Sequence, residues 1–388
     1  MNEIEKIGIV AMPRISVGGG FARVTRDLIA TLNSMNKKVY LLTPFNVDIK
    51  KINRFYGPIK IDKIYYPNRF KTFFCREDAL GRRLLKKEFQ KMAKEVDFII
   101  DMDGSVLHNY LPKNFDNSNY IIWRVSCINP DTHKIQKFTS SKILLRKFIR
   151  RIIFSKKCVP EGVKVFPLDS WTKKEIIDYW KIKPRDKCLY PEIKVEEFSA
   201  RGKKENKIIV FGRISPNKSI DEAIRIFYQG KKSHPEYELI ILGGATPDSK
   251  KYMENLNTLT DNLGISDKVK VIPNPSFEQI KKVLSKSKVL IDAQKGVSLT
   301  MTSIEAMAAG CIVLAQKNGG TYIEVLDNGK FGYGFKSVEE GSERLDNILS
   351  RLNKKIFKGF NSKKSVQRAA FFSAKNFEKR LGEVLNER

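Results

Sequence analysis

Residues 210–218 read VFGRISPNK and join an apolar strand pattern at 207–211 to a helical pattern that begins near Ile220. A strand that leads into a helix through a short glycine-containing loop is the repeating unit of a parallel α/β sheet, and such sheets bind ligands where these loops emerge. Arg213 offers a planar fork of donors and Lys218 a point charge, a combination that suits a diphosphate. Solvated surface cations would give the same local pattern in a basic chain. Ser219 is predicted to be the N-cap of the helix.

The same strand–helix alternation extends in both directions along the chain. Predicted strands lie at 6–12, 38–43, 60–66, 97–103, 119–125, 163–168, 207–211, 237–242, 268–272, 288–292 and 311–315. Predicted helices lie at 21–35, 78–94, 172–180, 220–233, 250–263, 277–286, 303–309 and 374–385. This order predicts an α/β fold with two Rossmann-like parallel-sheet domains that face a cleft. The predicted divisions are 1–190, a linker at 191–206, 207–370 and a terminal helix at 371–388.

The composition limits which classes of binding partner and which cellular compartment are expected. The 388 residues carry 72 Lys and Arg against 43 Asp and Glu, a net charge of +29, which favours an anionic partner. Nucleic acid, an anionic membrane surface and phosphorylated metabolites all fit this charge, and so does a lysine-rich source proteome. The five cysteines are scattered, the start has no secretory pattern, and the longest apolar stretch, 306–315, is too short to span a bilayer. We therefore expect a cytoplasmic protein.

Two further segments have the residue types of an anion site. Gly18 and Gly19 lie between the first strand and a helix, where glycines let backbone amides approach a phosphate; an ordinary strand–helix turn would use the same glycines. The third glycine and the acidic residue of a dinucleotide site are missing, which disfavours NAD. Residues 301–310 read MTSIEAMAAG, and the first turn of the helix predicted within them would present free amides to an anion. Glu305 is predicted in the first turn, as a helix-capping group or an acceptor for a ribose diol.

Together these segments resemble the family 4 retaining glycosyltransferases of GT-B fold. The resemblance rests on Arg213 and Lys218, on residues 302–310 and on Gly319-Gly320, and it extends to segments 18–23, 169–172 and 189–193. It covers nearly the whole chain. The glycine loop and the Tyr-Pro pair within 189–193 are most similar to mannosyltransferases that extend lipid-linked oligosaccharides.

The resemblance implies roles for individual residues. Arg213 and Lys218 would bind the diphosphate of a nucleotide sugar, together with the amides at Met301 and Thr302, and Glu305 would bind the ribose. Gly18 and Gly19 would shape the loop beside the phosphates. The family requires no metal ion and no cofactor apart from its donor substrate. Its last helix crosses back onto the first domain, which suits residues 371–388.

One position departs from the family pattern. Relatives pair two glutamates eight positions apart, and the first contacts the donor sugar. Counting back from Glu305 without a gap reaches Val297, whereas an alignment with an insertion reaches Lys295, and the nearest acid is Asp292. The departure leaves three readings: altered sugar recognition, lower activity or a catalytically silent subunit.

Two residues of the first half are catalytic candidates. Arg124 ends a strand where related enzymes often have a histidine, and its permanent charge could stabilise a leaving phosphate but could not serve as a base. A surface arginine at a strand end would look the same. Asp101 and Asp103 share one face of a strand, and Asp103 is favoured as an acceptor-side base over a metal ligand. His108 is expected in a solvated loop.

A basic amphipathic helix is predicted within residues 142–157, where Arg146, Lys147, Arg150 and Arg151 lie between apolar residues. Such a helix can lie on an anionic lipid surface or bind a lipid-linked acceptor, although a helix with its apolar face in the domain core would have the same pattern. The sequence thus predicts a retaining hexosyltransferase that acts on a lipid-linked or glycan acceptor. Its predicted location is the cytoplasm, with peripheral binding to the inner face of the membrane as a further option. The alternatives are a silent accessory subunit and a basic nucleic-acid-binding protein, and no nucleic-acid motif supports the second.

Overall fold

The chain forms two compact units. The computed structural model describes residues 4–12, 15, 19–67, 85–102, 104, 106–125, 159–198, 200, 203–354 and 362–387. Unit 1 comprises Met1–Glu192 and Phe377–Arg388, and unit 2 comprises Ile193–Asn376. Each unit contains a sheet of six parallel strands, so the predicted α/β fold class is confirmed. The predicted domain ranges, 1–190, 191–206, 207–370 and 371–388, stay a prediction.

The sheet of unit 1 has its apolar strands at the centre. Its strands are β1 (Lys6–Val10), β2 (Lys38–Leu42), β3 (Lys63–Tyr65), β4 (Phe98–Met102), β5 (Tyr120–Arg124) and β6 (Lys164–Pro167). Their order is β3-β2-β1-β4-β5-β6. Every residue of β4 and β5 is buried, as expected for parallel strands that are covered on both faces. Polar side chains at the carboxyl ends of these strands, such as Asp101 and Arg124, are therefore buried too.

The sheet of unit 2 repeats this plan. Its strands are β7 (Lys207–Phe211), β8 (Glu238–Gly243), β9 (Val269–Pro273), β10 (Val289–Asp292), β11 (Ile312–Gln316) and β12 (Tyr333–Phe335). Their order is β12-β11-β10-β7-β8-β9. In this order the carboxyl ends of β7 and β10 are neighbours, and the ends of β11 and β12 follow along the same edge.

Helices connect the strands in both units. Unit 1 contains α1 (Gly20–Ser34), α2 (Ile49–Tyr56), α3 (Lys86–Ala93) and α4 (Ser170–Glu175). Unit 2 contains α5 (Ile220–Gly230), α6 (Lys250–Asn262), α7 (Phe277–Lys286), α8 (Met301–Ala308), α9 (Val338–Asn353) and α10 (Ser362–Ala370). The last helix, α11 (Ala374–Asn386), begins in unit 2 and continues into unit 1.

Several elements differ from their sequence predictions. Strand β12 and helices α2, α9 and α10 were not predicted. Strand β12 has only three residues, one of them Gly334, so no periodicity marks it. Helix α8 begins at Met301, two residues before its predicted start. Ser219 does precede α5, but it adopts a left-handed conformation (φ 49°) and its side chain makes no capping hydrogen bond.

Helix α11 packs against the core of unit 1. Its buried residues include Phe377 and Leu381, and the Phe377 ring stacks on Trp123 of β5 with ring centroids 5.7 Å apart. The Trp123 indole in turn donates to the Leu189 carbonyl at 2.9 Å. The apolar stripe that the sequence shows on this helix is therefore buried within unit 1.

Substitution of Phe377 tests this packing. Phe377→Ala is expected to destabilise unit 1 by about 3–5 kcal/mol, because it removes a fully buried ring and leaves a cavity beside Trp123. All three tryptophans (123, 171 and 180) lie in unit 1, so urea unfolding followed by tryptophan fluorescence reports on this unit. Lys379→Ala, at an exposed position of the same helix, is the matched control. Equal unfolding midpoints for the two variants would contradict the packing described.

Candidate functional site

The loops that follow β7 and β8 are fixed to each other through their backbones. The Ile214 amide donates to the Gly244 carbonyl at 2.8 Å, and the Gly212 amide donates to the Leu242 carbonyl at 3.1 Å. A Cβ atom on Gly243 would lie 1.6 Å from the Gly212 carbonyl oxygen, so only glycine permits this approach. The loop that carries Arg213 and Lys218 is thus held rigidly at the carboxyl edge of the sheet.

Arg213 and Lys218 have different surroundings within this loop. Arg213 is exposed, whereas Lys218 is half-buried and its Nζ donates to Gln294 Oε1 at 2.5 Å. Burial lowers the pKa of Lys218 below its ordinary value; the nearby Arg213 charge lowers it further, and Asp292 partly opposes the shift. Both residues line the same crevice, so the two cations can act on one ligand.

The carboxylate of Asp292 connects three segments of unit 2. Its Oδ2 accepts hydrogen bonds from the hydroxyls of Thr300 (2.6 Å), Ser303 (3.0 Å) and Thr321 (3.1 Å). Thr300 precedes α8, Ser303 lies in its first turn, and Thr321 follows the Gly319-Gly320 pair. Asp292 at the end of β10 thereby sets where α8 begins. The sequence offered only the cluster of hydroxyl residues before a helix as a signal for this role.

Helix α8 presents its N-terminus at the same edge. Met301 and Thr302 are its first residues, so their amides lie outside the internal hydrogen-bond ladder of the helix. The prediction that Glu305 lies in the first turn is wrong: since the Asp292 network starts the helix at Met301, Glu305 falls in the second turn. Glu305 is only 1% exposed, and its proposed contact with a ribose stays a prediction.

Residues of these segments line a narrow crevice with a volume of about 10 Å³. This is room for about one water molecule. A larger anion would therefore lie on the open edge above the crevice, where the exposed Arg213 is available. The lining residues are Val210, Phe211, Gly212, Arg213, Lys218, Ile220, Ile291, Asp292, Ala293, Gln294 and Thr302.

Neither position proposed for the missing glutamate supplies a carboxylate. The Lys295 ammonium pairs with Glu222 at 2.7 Å. Val297 contributes its backbone carbonyl, which accepts from the Gly320 amide at 2.7 Å. The nearest acid, Asp292, is occupied by the hydroxyl network. At the two positions where the family glutamate could stand, Lys295 therefore forms an ion pair and Val297 forms a backbone hydrogen bond.

In unit 1, Arg124 lies in a buried ion pair. It is 6% exposed, its Nη2 lies 2.9 Å from Glu175 Oε1, and its guanidinium lies 5.2 Å from the centre of the Trp180 ring. A pair of buried opposite charges is expensive to break, because either partner alone would remain desolvated. The alternative of a solvated surface arginine is therefore wrong, and the catalytic role of Arg124 stays a prediction.

The other polar residues near the ends of β4 and β5 are also buried. Asp101 accepts a hydrogen bond from the Tyr120 hydroxyl at 2.6 Å. His108 is 3% exposed, and its ring lies edge-on to Tyr120, so the expectation of a solvated loop histidine is wrong. His108 lies in the helical turn Val106–Tyr110, in which Leu107 is also fully buried.

Several predicted site residues lie outside the described residues. These are Gly18, Asp103, Arg146, Lys147, Arg150 and Arg151. Gly19 is described: it has a φ of 142° and precedes α1, and a Cβ there would meet no neighbour within 4 Å. Its glycine is thus explained by backbone conformation.

Two kinds of feature are absent from the described part of the chain. No three His, Cys, Asp or Glu side chains are grouped there as around a metal ion. Within the same residues, no helix is long and apolar enough to cross a membrane.

Known proteins similar to this chain include glycosyltransferases. Residues 192–355 match the sequence model described as Glycosyl transferases group 1. A Xenopus laevis protein named GDP-Man:Man(3)GlcNAc(2)-PP-Dol alpha-1,2-mannosyltransferase is 28% identical over 196 residues, which cover 47% of this chain and 40% of that protein. The chain thus matches less than half the length of this curated relative.

Solved structures of similar shape cover nearly the whole chain. A glycosyltransferase from Rickettsia africae gives a TM-score of 0.73 at 15% identity and covers 100% of this chain and 99% of its own. The Anabaena protein HepE in complex with UDP gives 0.71 at 14% identity and covers 99% and 100%. At this identity the likeness shows the fold alone, and it confirms the predicted GT-B fold.

Asp292→Ala tests the hydroxyl network. The substitution leaves three hydroxyl groups without their shared acceptor. We therefore expect the free energy of unfolding of unit 2 to fall by about 1–3 kcal/mol. Scanning calorimetry is the measurement, and Asp267→Ala, at an exposed position of the same unit, is the control. Unchanged melting of Asp292→Ala relative to this control would argue that the network does not stabilise the unit.

Proposed function

We propose that this chain, whose residues 192–355 match the Glycosyl transferases group 1 model, transfers a hexose from a nucleotide-diphosphate sugar to an acceptor. The observation that carries the proposal is the convergence of Arg213, Lys218 and the first turn of α8 on one crevice at the carboxyl edge of the unit 2 sheet. This edge is where parallel α/β sheets bind nucleotides. A basic fork, a point charge and free helix amides are the groups that a diphosphate needs.

The chemistry requires stabilisation of a leaving diphosphate. As the bond between the anomeric carbon and the phosphate oxygen breaks, negative charge develops on the diphosphate. Arg213 and Lys218 neutralise this charge, and the amides of Met301 and Thr302 donate to the same oxygens. Glu305 accepts hydrogen bonds from the ribose. We propose transfer with retention of the anomeric configuration and without a metal ion or cofactor, as in the family the sequence resembles.

The acceptor is proposed to be a lipid-linked oligosaccharide or another glycan. This accords with the name of the Xenopus laevis relative, which specifies a diphosphate-linked lipid acceptor. The net charge of +29 supports action at an anionic membrane surface from the cytoplasmic side. Arg146, Lys147, Arg150 and Arg151 are the proposed contacts, and Asp103 and Arg124 are the proposed residues on the acceptor side.

A second candidate function is donor binding without transfer. Lys295 and Val297 stand where a glutamate would contact the donor sugar, and Lys295 is paired with Glu222. Donor hydrolysis and transfer assays separate the two functions. If the protein binds its donor but transfers no sugar to any acceptor of a panel of glycans and lipid-linked oligosaccharides, it is a binding subunit.

Donor binding depends on Arg213. Calorimetric titration and thermal shift with UDP, GDP and ADP and their sugars are expected to show binding of one nucleotide class, because a ligand stabilises the state it binds. Arg213→Ala should weaken that binding about tenfold or more, since charge-assisted hydrogen bonds contribute roughly 1.5–3 kcal/mol each. Arg225→Ala, at an exposed position on α5, is the matched control. If no nucleotide binds, or if both variants bind like the wild type, the proposed donor site is wrong.

The affinity for the nucleotide is also expected to depend on pH. Only the protonated Lys218 attracts a phosphate, and burial places its pKa below the ordinary lysine value. Affinity should therefore be full at pH values below this lowered pKa and fall as the pH rises through it, before exposed lysines lose their charge. Lys218→Arg keeps its charge over this range, so its affinity should stay level. The same alkaline fall in both proteins would assign it to another group.

A further inference from the structure

A second depression lies farther along the same edge of the unit 2 sheet and has no part in the proposed diphosphate site. Its volume is about 470 Å³, and it is lined by Lys295, Gln316, Lys317, Asn318 and Lys336. Three of its five lining residues are lysines. Its size suits a sugar ring, for which the first crevice has no room.

Backbone hydrogen bonds fix the segments that carry these lysines. The Lys317 amide donates to the Phe335 carbonyl at 2.8 Å, which joins the ends of β11 and β12. The Gly296 amide donates to the Asn318 carbonyl at 2.7 Å, which joins the segment after β10 to the one after β11. The three lysines thus come from three adjacent strand ends, and the sheet itself sets the positions of their backbones.

The charges of the depression do not balance. Lys295 pairs with Glu222 at 2.7 Å, and Lys317 pairs with Glu340 at 2.7 Å. The second oxygen of Glu340 accepts from the backbone amide of Lys336 at 2.8 Å, while the Lys336 side chain is exposed. The three lining ammonium groups therefore have two carboxylate partners, which leaves one positive charge within the lining. Arg344, outside the lining, also lies 3.9 Å from Glu340 Oε1 and adds to the positive charge.

The linings of the depression and of the proposed diphosphate site adjoin at two consecutive residues. Lys295 follows Gln294, whose side-chain oxygen accepts from Lys218. Gln294 lines the first crevice and Lys295 lines the second. Consecutive Cα atoms are about 3.8 Å apart, so the two linings adjoin at Gln294 and Lys295, and a sugar attached to a diphosphate at Lys218 would reach Lys295 first.

We propose that this depression binds the carboxylate of the transferred sugar, so that the donor is a nucleotide-activated uronic acid. One uncompensated positive charge matches a monoanionic carboxylate, whereas a phosphate substituent would bring nearly two negative charges. A neutral hexose would leave the excess charge unmatched. This inference rests on the proposed function and narrows its donor.

The test compares donors that differ only in charge on the sugar. Calorimetric titration measures the dissociation constants of UDP-glucuronate and UDP-glucose, and of GDP-mannuronate and GDP-mannose. For the nucleotide that binds, we expect the uronate to bind about fivefold to tenfold more tightly than its neutral partner. Lys336→Gln should reduce this ratio to less than about twofold, and Lys336→Arg should preserve it. Lys270→Gln, at an exposed position on the opposite edge strand β9, should leave it unchanged.

The outcomes separate this inference from the proposed function. If UDP or GDP binds but the uronate binds no more tightly than the neutral sugar, the diphosphate site stands and the carboxylate pocket is wrong. A uronate preference that Lys336→Gln leaves intact would also overturn the pocket. If none of UDP, GDP and ADP binds and none of their sugars binds, both proposals fall.

Discussion

The Asp292 carboxylate is the constraint on which the candidate site depends. One oxygen collects three hydroxyl groups, from the residue before α8, from the first turn of that helix and from the segment after β11. Hydroxyls rotate to suit an acceptor, so a single carboxylate can serve three of them without strain. Because Asp292 ends β10, the network ties the helix N-terminus to the sheet. The amides that would meet a phosphate are positioned by a residue that need not touch it.

Much of the fold could be predicted from the sequence, because the strand signal is strong wherever a strand is buried on both faces. Strand β7 and helix α7 have the bounds that their patterns predict. The misses have physical causes. Strand β12 is short and contains a glycine, so it exists through pairing with β11, and pairing between distant segments leaves no local periodicity. Helix α8 begins early because Asp292, distant in sequence from the helix interior, accepts from its first turn.

The site was predictable only in part, for the same reason. Arg213 and Lys218 stand out because a short loop follows a recognisable strand, so spacing alone places them at the sheet edge. The partners of Lys218 and Lys295 could not be predicted from spacing. Gln294 and Glu222 lie far from these lysines in sequence and contact them only once the sheet has formed. His108 and Arg124 illustrate the converse error, since polar residues after apolar strands read as surface residues but are covered here by side chains from elsewhere in unit 1. Burial is a property of the packed unit, and a local pattern does not contain it.

The position of helix α11 has a consequence for how the protein is made. Phe377 belongs to unit 1, yet all of unit 2 lies between it and the strand that carries its partner Trp123. Because the chain leaves the ribosome with its N-terminus first, most of unit 1 emerges before this helix. Unit 1 is therefore incomplete until unit 2 has been synthesised. During that interval the apolar surface beside Trp123 is uncovered. Completion of unit 1 is therefore a late event in biosynthesis, even though most of its residues are translated first.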